Sequence, residues 1–102
     1  MLGEWEQAEP GVRRKIFTPG KNIMMMEVQL EKGAEGNIHS HPHEQITYCV
    51  QGTFQFTIEN ETHIIHTGQT IVIPSNKRHG VIALEAGILV DTFTPVREDL
   101  LS

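Results

Sequence analysis

Between residues 23 and 31 apolar and polar side chains alternate, with Met24, Met26, Val28 and Leu30 on one side and Met25, Glu27, Gln29 and Glu31 on the other. A period of two belongs to a half-buried strand. Residues 53–59 repeat it, setting Phe54, Phe56 and Ile58 against Gln55, Thr57 and Glu59. Further short runs at 12–17, 46–51, 62–66, 70–73, 79–84 and 87–93 are separated by turn-forming clusters such as Pro19-Gly20, Gln51-Gly52 and Pro74-Ser75-Asn76. Hairpin turns are expected at Gln51-Gly52, at Asn60-Glu61 and around Glu85-Ala86-Gly87. Residues 1–11 read as a loop or edge segment whose Trp5 packs on the body of the protein or on a partner subunit. Residues 94–102 form a polar tail broken by Val96, Leu100 and Leu101. No stretch carries a helical apolar stripe with caps. Eight or so strands at this spacing predict an all-β fold, an antiparallel sandwich or small barrel. At 102 residues the chain is long enough for one core, so residues 1–102 are expected to form a single domain.

A formal charge of −5 argues against nucleic acid and anionic membrane surfaces, both of which require a basic face. An anionic small molecule would need local positive charge from a metal or a placed arginine. The single cysteine, Cys49, excludes an internal disulfide and reads as a small buried hydrophobe. The most apolar stretch, residues 23–30, is too short to span a bilayer, and no basic segment followed by an apolar run opens the chain. The expected address is the cytoplasm.

One segment demands chemistry. His39 and His41 lie one residue apart, so on an extended chain both point the same way, with Cα atoms about 6.6 Å apart. Two imidazoles at that spacing can converge on one ion. Gln45 offers an amide oxygen a little further on, and His79 is the candidate to complete the set. An ideal strand from His39 to Gln45 would stretch roughly 20 Å, too far for ligands of one ion. The chain must therefore bend, and Pro42 is placed to bend it. His43 would then be thrown aside to the rim of a cavity. Three imidazoles and an amide are neutral ligands suited to a divalent transition metal, Zn, Ni, Mn or Fe(II), that polarises a substrate oxygen. His63 and His66 flank a strand at opposite parity and are expected in solvent, as are Lys77 and Arg78.

These residues resemble the cupin family. Its first motif is matched by Gly33, His39, His41, Gln45 and Gly52, with Gln45 where most cupins carry Glu. Its second is matched by Gly68, Pro74 and His79, while Asn76 stands for a Gly and Ala83 for an Asn. A closer resemblance runs over nearly the whole chain. Lys32-Gly33-Ala34, His41-Pro42-His43, Gln45-Ile46-Thr47-Tyr48, residues 54–58, Leu84-Glu85-Ala86-Gly87 and residues 91–99 are similar to the KdgF-type pectin-degradation cupins.

The resemblance implies a double-stranded β-helix, or jelly-roll barrel, in a homodimer that opens 4,5-unsaturated uronate rings to linear keto sugar acids. It implies metal ligands His39, His41, Gln45 and His79, with Asp91, Phe93 and Arg97 near the substrate. Those residue types suit such chemistry, with Asp91 as base or proton shuttle, Arg97 as a carboxylate clamp and Phe93 as an apolar face for the sugar. A metal-dependent dioxygenase and a sugar-acid-binding module without turnover are the alternatives, the first disfavoured by the neutral fourth ligand. Exposed strand edges and apolar residues near both termini point to a dimer.

Overall fold

The alternation read from the sequence is the basis of the fold. A computed structural model describes residues 2–101 as eight strands and one 3-10 turn. Met1 and Ser102, included in the segments read as loop and tail, lie outside the described residues. The strands are β1 (Trp5–Glu9), β2 (Val12–Ile16), β3 (Met24–Leu30), β4 (Glu35–His39), β5 (Glu44–Ile58), β6 (Glu61–His66), β7 (Thr70–Ile73) and β8 (His79–Thr94). In β3 Met24, Met26, Val28 and Leu30 are buried while Met25 is exposed, and in β5 Phe54 and Phe56 face the core. Of the two readings of the opening segment the edge holds: β1 is the end strand of the sheet and pairs antiparallel with β2, and Trp5 lies between Arg13 and Lys15, whose cationic groups sit 4.7 and 4.8 Å from its ring centre.

The two long strands β5 and β8 hold the molecule together. They pair antiparallel from Glu44↔Thr94 to Ile58↔His79, with the register slipping between Cys49 and Phe54. The first half of β5 also pairs with β7 and its second half with β6. The first half of β8 also pairs with β4 and its second half with β3. Each long strand thus serves two layers, and Phe54, Phe93, Met24, Ile73 and Leu89 fill the space they enclose. The architecture is all-β, the jelly-roll barrel that the resemblance implies.

Two expected hairpins are absent as reversals. Gln51-Gly52 and Glu85-Ala86-Gly87 do not turn the chain back; they are corners within β5 and β8. The cause is close backbone crossing. Gly52 has φ +107°, and a Cβ on Gly87 would collide with the carbonyl oxygen of Gln51. A glycine pair here lets the strands bend past one another instead of ending. The tail also departs from expectation. Val96 is buried and Leu100 and Leu101 pack on the chain's own core.

Candidate metal centre

Three parts of the chain meet at the mouth of the barrel. His39 ends β4 and is paired in register with His79, which begins β8. His41 follows in the loop where Pro42 and His43 bend the chain into β5, as the reach argument requires. The turn after β7 pins that loop. The Asn76 N–H donates to the His41 carbonyl at 2.9 Å, and the Ser75 hydroxyl donates to the Pro42 carbonyl. Asn76 has φ 65°, so it performs the left-handed turn for which the family motif uses glycine. One ring nitrogen from each of His39, His41 and His79 lies within 4.8 Å of the others. The ring centres of His39 and His79 are 4.4 Å apart and those of His41 and His79 4.9 Å. His41 and His79 are buried; His39 is exposed at the rim.

Backbone contacts decide which nitrogen each ring presents. The Nδ1–H of His39 donates to the Asn37 carbonyl at 2.8 Å, that of His41 to the His43 carbonyl at 3.0 Å, and that of His79 to the Lys77 carbonyl at 2.9 Å. A neutral imidazole that donates from Nδ1 carries its lone pair on Nε2. All three therefore offer Nε2, and the Nε2 of His79 is buried without a hydrogen-bond partner among the described residues. Burial is the main cause that lowers the pKa of His41, and it pushes that of His79 down to about 4. At neutral pH both are uncharged, as ligands must be. Gln45 is buried beside them, its Oε1 3.1 Å from His41 Nε2. Two donors each about 2.1 Å from one ion and at right angles stand roughly 3 Å apart. The donor set fits a divalent transition metal.

The remaining residues named from the sequence lie along one cavity of about 270 Å³, lined by His39, Gln45, His79, Asp91, Phe93 and Arg97 among others. Asp91 is buried, and its Oδ1 accepts from the Thr47 hydroxyl at 2.7 Å. Desolvation raises its pKa to about 6, against the opposing pull of the Thr47 hydrogen bond and the Arg97 charge. The guanidinium of Arg97 stands 5.1 Å from the Phe93 ring centre and pairs with Asp99 at 2.7 Å. Phe93 in turn meets His41 edge-on at 5.6 Å.

One expectation about the surrounding side chains resolves differently, and the others hold. His43 does not line the cavity; its ring lies against His41 at 5.5 Å, and its Nδ1 is buried. His63, His66, Lys77 and Arg78 are exposed, and Cys49 is a buried free thiol. Thr47 is a site residue that the sequence reading misses. Its signal lies in the parity it shares with Gln45, which turns its hydroxyl into the same interior. A larger open groove of about 770 Å³ beside Trp5, Gln7 and Ile88 contains no histidine.

Comparison with known proteins places this geometry. The cupin domain family model matches residues 26–92. The pectin degradation protein KdgF of Dickeya dadantii is 43% identical across 95% of this chain and 90% of that protein. Among solved structures, KdgF from a Halomonas species is 37% identical with a TM-score of 0.89, covering 95% of this chain and 90% of its own. An RmlC-like cupin from Shewanella frigidimarina is 33% identical with a TM-score of 0.90, covering 96% and 88%. Sequence motifs, barrel and histidine cluster agree: the chain belongs to the cupin family, within the group of KdgF-type pectin-degradation proteins.

Proposed function

We propose that this single-domain protein opens the ring of 4,5-unsaturated uronate monosaccharides, left when pectin or alginate is cut by lyases, to the linear 5-keto-4-deoxyuronate. The observation that carries the reading is the placement of a buried carboxylate, Asp91, and a guanidinium, Arg97, beside three convergent imidazoles in one small cavity. Its volume lies just below the roughly 300–1,000 Å³ of pockets for larger ligands, a size suited to one sugar ring. Ionised Asp91 takes the anomeric proton. The C1–O5 bond then breaks, C1 becomes the aldehyde, and O5 keeps the electron pair as an enolate on C5. Asp91 returns its proton to C4, leaving the C5 ketone, so no atoms are gained or lost. Arg97 binds the substrate carboxylate, and Phe93 presents an apolar face to the ring. A divalent ion held by His39, His41, His79 and Gln45 would supply Lewis-acid stabilisation of negative oxygen. A pKa near 6 leaves Asp91 ionised, yet still able to hold a proton, close to neutral pH.

The assay is direct. Purified chain is added to the unsaturated galacturonate released by exhaustive lyase digestion, and ultraviolet absorbance of the conjugated alkene is followed. Loss faster than spontaneous opening, with a linear keto acid seen by NMR, is the expected result. Dialysis against a chelator is expected to slow the reaction, and Ni, Zn, Mn or Fe(II) to restore it. No acceleration with any of these ions present would overturn the proposal. Oxygen uptake with Fe(II) would instead favour a dioxygenase.

The protein is also proposed to act as a homodimer in the cytoplasm. A lone buried cysteine suits a reducing compartment, and no helix among the described residues is long and apolar enough to cross a membrane. Support for the dimer lies on the outer sheet face, where Ile46, Tyr48 and Val72 are exposed.

A further inference from the structure

Thr47 is completely buried at the centre of a line of polar groups that ends at the histidine cluster. Its Oγ1 donates to Asp91 Oδ1 at 2.7 Å, and Gln45 Nε2 donates to Thr47 Oγ1 at 2.9 Å. A hydroxyl has one proton. With that proton given to Asp91, Thr47 can only accept from Gln45, so the amide nitrogen must face Thr47 and the amide oxygen must face His41.

His41 already donates from Nδ1 to the His43 carbonyl, which leaves a lone pair on Nε2. Two lone pairs, on His41 Nε2 and Gln45 Oε1, then confront each other at 3.1 Å. Left alone, the amide would gain by flipping, so that its NH2 donated to His41. Such a flip would aim a donor at the place a cation would occupy.

We infer that Thr47 is a positioning residue that holds the Gln45 side chain with its oxygen, not its nitrogen, toward the three-histidine cluster. The inference rests on the metal reading above and explains how this chain departs from the usual family motif. A glutamate at position 45 has oxygens at both ends and needs no such guard. A glutamine is alike in shape at its two ends but opposite in polarity, so one face must be specified.

The test is calorimetric titration of metal-free protein with Ni²⁺, paired with the visible spectrum of the Co²⁺ form, in wild type, Thr47→Val and Thr47→Ser. Wild type binds; Thr47→Val, isosteric but without the hydroxyl, binds about tenfold or more weakly with an altered Co²⁺ spectrum. Thr47→Ser restores both. A Thr47→Val chain that is folded by circular dichroism and has wild-type affinity and spectrum overturns the inference while leaving the metal site standing. A wild-type chain that binds neither ion overturns the metal reading and this inference with it.

Should Thr47→Val not fold, a second measurement on wild type decides the matter. In the Zn²⁺-loaded, ¹⁵N-labelled protein the Gln45 side-chain NH2 pair, assigned by its loss in Gln45→Glu, remains visible and exchanges slowly with solvent. Exchange as fast as that of an exposed glutamine shows that Thr47 does not hold the amide.

Discussion

A carboxylate is kept out of water at Asp91, which raises its pKa from 3.8 to about 6. Because the folded value exceeds the unfolded one, the native state binds more protons between those limits, and stability falls as pH rises through that window. Two outcomes follow for Asp91→Asn. Ring opening drops by about 10²–10⁴-fold while substrate binding persists, measured by steady-state rates and by titration with the product. Its thermal midpoint relative to wild type is higher at pH 8 than at pH 5, because only wild type is destabilised by a buried charge at the higher pH. In wild type, kcat/KM rises with pH as Asp91 ionises near 6, and a profile flat through that region would remove Asp91 as the base. His39 and His41 were legible from the sequence because parity and spacing bring two imidazoles to one point, and His79 through the motif it completes, while its pairing with His39 across β4 and β8 is seen only in the fold. Thr47 was not, since a threonine in a strand is ordinary, and only the cross-strand pairing Thr47↔Asp91 reveals what its hydroxyl meets.

At the scale of elements, the alternating runs were legible because burial on one face imposes a period of two. What stayed hidden was continuity. Gly52 and Gly87 look like turn residues, yet both serve corners where β5 and β8 cross closely. The distinction depends on a partner strand some 35 residues away in a chain that folds by long-range pairing, beyond the reach of local turn preferences. Gly87→Ala should therefore be severe. Its methyl would overlap the Gln51 carbonyl oxygen, a backbone atom, and neither strand can yield without disturbing the register. A loss of roughly 3 kcal/mol or more is expected, which would lower the thermal midpoint by more than about 10 °C. The same substitution at Gly33 meets nothing within 4 Å but has φ +83°, so its cost is backbone strain alone and smaller. If the two variants unfold at the same temperature, the crossing is looser than described.

Across the whole molecule, β5 has two faces with different work. Gln45, Thr47 and Cys49 point inward; Ile46, Tyr48 and Val50 point outward with 47, 45 and 40% of their surface exposed. Ile46 is flanked in register by Val72 on β7 and Thr92 on β8, and Thr92 by Met25 on β3, so the row crosses four strands with apolar side chains on three of them. An antiparallel sheet that faced only water would carry polar side chains there. The proposed dimer would set this largely apolar face against a second copy of itself across a two-fold axis, and a stable interface needs about 800 Å² from each partner. Wild type is expected to sediment as a dimer, and Ile46→Lys with Tyr48→Glu as a monomer with an unchanged circular dichroism spectrum. The alternation of β5 adds a sharper requirement. Both substituted side chains lie on the outer face, so the monomeric variant is expected to bind Ni²⁺ as tightly as wild type. Loss of metal affinity together with the dimer would mean that the two faces of β5 are not independent, whereas a wild-type monomer at high concentration would remove the dimer outright.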